Sequence, residues 1–143
     1  MPLTEESTTK LNYELQSPGA NRILYVGDAF RAGWSLEQVN TLTNIDPWFL
    51  IQIQDIIQEE AKIKAGASSA FTADRLRWLK RKGFSDMRLA KLTGVPEKVI
   101  RNTRRELGVV PVYKRVDTCA AEFSTSTAYM YSTYEEELSL IHI

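Results

Sequence analysis

The sequence predicts an all-α protein, a helical bundle of about six short helices with an extended C-terminal segment, and three features carry that prediction. Apolar residues recur at spacings of three and four from Ile23 to Leu107, Ser, Thr, Asp and Pro stand where helices would open, and single glycines stand where they would close. After Gly108 the chain turns to β-branched and aromatic residues, which fit a pleated rather than a helical backbone.

Taken in order, Ser17-Pro18 is a helix opening, because serine can cap free N–H groups and proline has no N–H to leave orphaned. That helix is expected to run to about Ala32, bury Ile23, Leu24, Val26, Ala29 and Phe30, and stop at Gly33. Ser35 and Gln38 have capping-box spacing and predict a short helix to about Thr43. Asp46-Pro47 opens the longest helix, in which Trp48, Phe49, Ile51, Ile53, Ile56, Ile57 and Ala61 cover more than one stripe, so contact on two sides is expected before Gly66. Thr72 caps a helix holding Leu76, Trp78 and Leu79 up to Gly83; Ser85 caps one holding Met87, Leu89, Ala90 and Leu92 before Gly94. Pro96 begins a last helix with Val99, Ile100 and Leu107 inward and Gly108 as terminator. Segments 109–113 and 128–134 read as extended. No internal repeat is expected.

A chain of 143 residues, 43% hydrophobic and 25% charged, is the size of one soluble domain. Net charge is zero, which removes any overall attraction to nucleic acid or anionic membrane. The charges are nevertheless segregated: thirteen basic residues face only Asp86, Glu97 and Glu106 between Arg75 and Arg115. No apolar run reaches the roughly 20 residues of a membrane span. The lone Cys119 rules out an intrachain disulfide framework, and a cytoplasmic location is expected.

Reactive constellations are sparse. His142, the one histidine, sits at the C-terminus, Cys119 has no Cys or His at ligand spacing, and no Gly-rich phosphate loop occurs. No catalytic, cofactor-binding or metal-binding residue is therefore assigned. The sharpest generic motif is Phe84 to Leu107, two short helices joined through Gly94, the second bearing Lys98, Arg101, Arg104 and Arg105. That pattern resembles a helix-turn-helix and keeps a DNA-binding or adaptor domain open as the alternative.

Several segments in series resemble a known family. They are Asp28-Ala-Phe-Arg-Ala-Gly33, Leu42-Thr-Asn-Ile-Asp46 with Trp48-Phe-Leu50, Leu79-Lys-Arg-Lys-Gly-Phe84, and Arg88-Leu-Ala-Lys-Leu92. Val112-Tyr-Lys-Arg-Val-Asp-Thr-Cys-Ala-Ala-Glu-Phe123 and Thr127-Ala-Tyr-Met-Tyr-Ser-Thr-Tyr-Glu-Glu-Glu137 follow. From about Leu11 to Glu137 they resemble the central part of the carbamoyl-phosphate synthetase large subunit. The resemblance implies a lead-in from a first synthetase unit (1–16), a helical oligomerisation domain (17–108) and a connector to a second synthetase unit (109–137). It implies a parent ligase that makes carbamoyl phosphate from bicarbonate, ammonia and ATP, with Mg or Mn, for pyrimidine and arginine synthesis. This stretch itself is expected to hold no cofactor and to catalyse nothing. Implied partners are the flanking synthetase halves, other large subunits and a glutaminase small subunit, with no nucleic acid and no membrane.

On this reading the candidate interface residues are Trp34, Trp48, Phe49, Trp78, Arg101, Arg104 and Arg105. The candidate connector residues are Tyr113, Lys114, Arg115, Asp117, Tyr129 and Tyr131. Met1 is expected to be an internal or imposed start. Leu138-Ser-Leu-Ile-His-Ile143 is expected to be a non-native tail, because it departs from the family and translates a common sequencing-adapter end, CTGTCTCTTATACACATC.

Overall fold

The computed structural model describes residues 4–66, 71–116 and 129–135. Among them the chain forms seven helices and one small sheet: α1 (Glu5–Gln16), α2 (Arg22–Arg31), α3 (Leu36–Thr43), α4 (Pro47–Ala65), α5 (Ala73–Arg81), α6 (Asp86–Thr93), α7 (Glu97–Glu106), β1 (Val112–Arg115) and β2 (Met130–Thr133). The predicted helical class holds, with one helix more than expected. Two compact units divide the chain, residues 1–65 and 66–143.

In the first unit α1 to α4 enclose a core of Leu11, Leu15, Val26, Ala29, Phe30, Val39 and Leu50. Helix α1 was not foreseen, since only Leu11 and Leu15 are buried in an otherwise polar segment. Thr4 starts it by accepting the Ser7 N–H (3.2 Å), and Ser17 ends it by donating its N–H to the Tyr13 carbonyl (3.0 Å). Ser17-Pro18 therefore closes one helix instead of opening the next. Helix α2 begins only at Arg22, with no side-chain cap. The Arg22 guanidinium fixes it from afar, donating to the carbonyls of Leu15 (2.8 Å) and Thr43. With that start Ile23 and Leu24 fall in the exposed first turn, and Val26, Gly27, Ala29 and Phe30 make the buried face. Ser35 and Gln38 form the expected capping box on α3. Asp46 accepts the Trp48 N–H (2.8 Å) at the head of α4.

In the second unit Thr72 and Ser85 cap α5 and α6 as predicted. Leu76, Leu79, Phe84, Leu89, Leu92, Ile100 and Val109 are buried. Met87, Val99 and Leu107, expected inside, are exposed, because Leu89, Leu92 and Ile100 take the buried stripes of these short helices. Among the described residues the extended reading of 109–113 and 128–134 holds at 112–115 and 130–133. Strands β1 and β2 pair antiparallel with Val112 opposite Thr133 and Arg115 opposite Met130, and the Val116 N–H extends the ladder to the Tyr129 carbonyl (2.7 Å).

Contrary to expectation, the two units share a repeated motif. Helix α3 starts at Leu36 and α6 at Asp86, fifty residues later, and both span eight residues. At that same offset Arg31/Arg81, Gly33/Gly83, Ser35/Ser85, Leu42/Leu92 and Thr43/Thr93 are identical. The turn before the motif repeats bond for bond: Trp34 N–H to Ala29 carbonyl (3.0 Å) matches Phe84 N–H to Leu79 carbonyl (3.1 Å), across Gly33 at φ 88° and Gly83 at φ 95°. Those left-handed φ values demand glycine. The exit turn repeats as well. Thr43 and Thr93 donate their hydroxyls to the Val39 and Leu89 carbonyls (2.7 and 2.8 Å) and accept the N–H groups of Ile45 and Val95. Val26/Leu76, Ala29/Leu79, Val39/Leu89 and Leu50/Ile100 are all buried. The repeat escapes a search by residue identity because it is conserved as turn chemistry and apolar pattern.

Candidate association surface and connector

The first two turns of α4 expose an apolar face. Leu50 is inside, while Trp48 is 63%, Phe49 57% and Ile51 49% exposed, with Ile56 beyond them. The Trp48 and Phe49 rings meet edge to face, 5.0 Å between centroids at 88°. The local sequence explains the arrangement: Pro47 cannot donate an N–H and so starts the helix, and the one leucine at Leu50 turns inward, leaving its aromatic neighbours outward. Contact on two sides was expected; one side is filled by the unit's own core and the other is exposed. Adjacent large apolar side chains in this setting fit a protein contact.

Trp34 lies at the edge of the first unit's core, half-buried, and lines two grooves. One of about 420 Å³ runs past Asn12, Glu37 and Leu42; another of about 260 Å³ runs past Phe30, Gln54 and Ile57. In the second unit Trp78 is half-buried, and the Arg75 guanidinium and the Lys82 ammonium lie 4.8 and 4.9 Å from its ring centre. Arg101 and Arg105 are exposed on α7, with Arg101 paired to Glu97.

Arg104 is a correction. Expected on an exposed interface, it is 7% exposed and points into its own unit. Its guanidinium spans both Asp86 oxygens (3.1 to 3.3 Å) and donates to the Val109 carbonyl (2.7 Å). The Lys80 ammonium lies 3.0 Å from Asp86, and the exposed Arg101 approaches the same carboxylate more loosely, at 3.9 Å. Burial opposes ionisation of Asp86, but the hydrogen bonds from Arg104 and Lys80 and their positive charges outweigh it and hold the carboxyl below its usual pKa. Arg104 faces inward for an electrostatic reason: the buried carboxylate at the head of α6 needs a bidentate cation. The helix-turn-helix alternative thereby loses one of its four cations.

Among the connector residues, Tyr113 is exposed, Lys114 is half-buried and pairs with Glu135, Arg115 ends β1, and Tyr129 and Tyr131 are exposed. Lys114, through its hydrogen bond and charge, lowers the pKa of Glu135. Asp117, like Cys119 and His142, lies outside the described residues.

Sequence reasoning missed Lys80, Asp86 and Tyr134. The one available signal was Asp86 standing among so many cations. Among the described residues no group of three or more His, Cys, Asp or Glu side chains is placed to hold a metal ion, and no helix is long and apolar enough to cross a membrane.

Comparison with known proteins gives a consistent result. The family model described as "Carbamoyl-phosphate synthetase large chain, oligomerisation domain" matches residues 2–108. The carbamoyl phosphate synthase large chain of Pseudomonas syringae pv. tomato is 61% identical over 132 residues, covering 92% of this chain. The large chains of Vibrio cholerae and Pseudomonas aeruginosa are 58% and 59% identical over the same share. In each case the match covers 12% of the relative, so the chain spans about an eighth of the length of these curated relatives.

Proposed function

This chain belongs to the carbamoyl-phosphate synthetase large-chain family, in its oligomerisation domain, and from that premise we propose that it is a non-catalytic spacer and association segment. Its parent is a glutamine-hydrolysing ligase that makes carbamoyl phosphate from bicarbonate, ammonia and ATP with Mg or Mn, in the cytoplasm, for pyrimidine and arginine synthesis. The helical domain includes α1, whose Leu11 and Leu15 lie in the first unit's core, and the match over 2–108 supports that limit over a separate lead-in at 1–16; the connector follows over 109–137. In the parent the helices separate two ATP-dependent synthetase halves, and the connector leads into the second.

The observation that carries this reading is the exposed apolar face of α4, where Trp48, Phe49 and Ile51 stand outward beside a complete internal core. A surface of that chemistry stabilises an assembly through burial, at about 25 cal/mol for each Å² covered, and it does no chemistry by itself. Its occupant is another large chain. Trp34 in the first unit and, separately, Trp78, Arg101 and Arg105 in the second are further candidate association residues, and Tyr113, Lys114, Arg115, Asp117, Tyr129 and Tyr131 are candidate residues of the connector. A glutaminase small subunit is a further partner of the parent complex.

Sedimentation velocity of the parent large chain tests the proposal. The Trp48→Glu/Phe49→Glu variant is expected to sediment as a smaller species than wild type, with unchanged far-UV circular dichroism. A variant that assembles as wild type does at every concentration would refute the assignment of the surface. ATP hydrolysis by the 143-residue chain would refute its non-catalytic role.

A further inference from the structure

Three of the buried or half-buried positions at which the second copy of the repeated motif departs from the first come together in one cluster. Where the first copy has Phe30, Leu36 and Gln54, the second has Lys80, Asp86 and Arg104. Phe30 belongs to the first unit's core and Leu36 packs against it. The motif therefore closes with apolar side chains at the first two positions, and the ion cluster is not a requirement of its helices. Arg31 and Arg81, identical in the two copies, diverge in what they hold. Arg31 donates to Glu60 on α4 (3.0 Å), whereas α7 is nine residues shorter than α4 and offers no counterpart. Arg81 instead donates to the Tyr134 carbonyl (2.7 Å), one residue beyond β2.

Tyr134 is the common element. Its ring lies 5.1 Å from the Lys80 ammonium and 5.6 Å from the Arg104 guanidinium carbon, over the same two cations that grip Asp86. Arg104 also holds the Val109 carbonyl, where the chain leaves α7 for β1. Both ends of the hairpin are thus bound to one buried charge cluster, and the first copy, which has no hairpin, lacks the cluster.

We infer that Lys80, Asp86 and Arg104, capped by the ring of Tyr134 and assisted by Arg81, form a latch that clamps the β1–β2 hairpin onto the helices of the second unit. The latch fixes the direction in which the chain departs from those helices. It stands on contacts within the second unit and is independent of the association role assigned to α4.

Amide hydrogen exchange on the full 143-residue chain reads the latch directly, because a hairpin released from its support opens on its own while the helices stay closed. Two variants are compared with wild type. Tyr134→Ala removes the ring and leaves the Arg81 bond to its carbonyl. Lys80→Phe/Asp86→Leu/Arg104→Gln copies the side chains of the first motif. Exchange in Val112–Arg115 and Met130–Thr133 is expected to quicken about tenfold or more in both variants, with exchange in α5 to α7 unchanged. Tyr134→Phe, which keeps a ring over the cations, is expected to exchange as wild type does. Unchanged hairpin exchange in either of the first two variants would overturn the inference. So would equal loss of protection in the helices, since the cluster would then be holding helix to helix.

Discussion

The two copies of the repeated motif solve one structural problem by different chemistry. Both make the same glycine turn, the same serine cap and the same threonine exit, and both bury apolar residues at the four equivalent positions Val26/Leu76, Ala29/Leu79, Val39/Leu89 and Leu50/Ile100. The first completes its core with Phe30 and Leu36 and turns its surplus apolar residues outward on α4. The second places Lys80, Asp86 and Arg104 at the corresponding sites and turns them toward the chain that follows. A buried ion cluster adds little net stability over apolar packing but is intolerant of losing one member. The first copy is thus specialised for an outside contact and the second for an internal one.

That difference can be broken most forcefully at Asp86. Asp86→Ala leaves Arg104 and Lys80 buried without their carboxylate and is expected to cost about 3–5 kcal/mol in urea denaturation. Leu36→Ala, at the equivalent half-buried position, is expected to cost only about 1 kcal/mol. Equal costs would mean that the cluster carries no special penalty and that the two copies differ in sequence only.

The shared part of the motif makes the opposite demand. Leu50→Ala and Ile100→Ala each delete a fully buried aliphatic side chain at matched positions and are each expected to cost about 2–5 kcal/mol. A negligible loss at either site would show that the alignment of the two copies does not extend into their cores.

Acidity separates the copies again. The folded-state pKa of Asp86 lies below its unfolded value of about 3.9. As pH falls, the unfolded chain binds its proton first, so stability contributed by this group is complete above about pH 5 and is lost as pH drops through the folded pKa. The Lys80→Phe/Asp86→Leu/Arg104→Gln variant is expected to have a flatter stability profile between about pH 5 and pH 2 than wild type. Identical slopes would remove Asp86 as the titrating group. The smallest expected effect is at the caps. Ser35→Ala and Ser85→Ala should cost similar amounts, about 1 kcal/mol each, because each removes one hydroxyl acceptor for one N–H, while the Ser35 backbone N–H keeps its bond to Gln38.

Much of this architecture was legible because its signals are local. Ser35, Thr72 and Ser85 cap helices, and Gly33, Gly83, Gly94 and Gly108 end them at positive φ, as their chemistry dictates. What stayed hidden depends on distant partners. Helix α1 carries too narrow an apolar stripe to announce itself, and the start of α2 is set by Arg22 reaching Thr43, twenty-one residues away. The inward turn of Arg104 follows from Asp86, eighteen residues earlier, which no reading of α7 by itself could supply. On the surface, Trp48 and Phe49 were nameable as candidates. Their outward direction required knowing that Leu50 fills the core.

The most direct test is hydroxyl-radical footprinting of Trp48 and Phe49 in the isolated chain and in the assembled parent. Oxidation of both rings is expected to fall by about tenfold or more in the assembly, because a docked apolar face excludes water and the radicals it carries. Rings that oxidise as fast in the assembly as in the isolated chain would contradict the claim that this face exists to be covered.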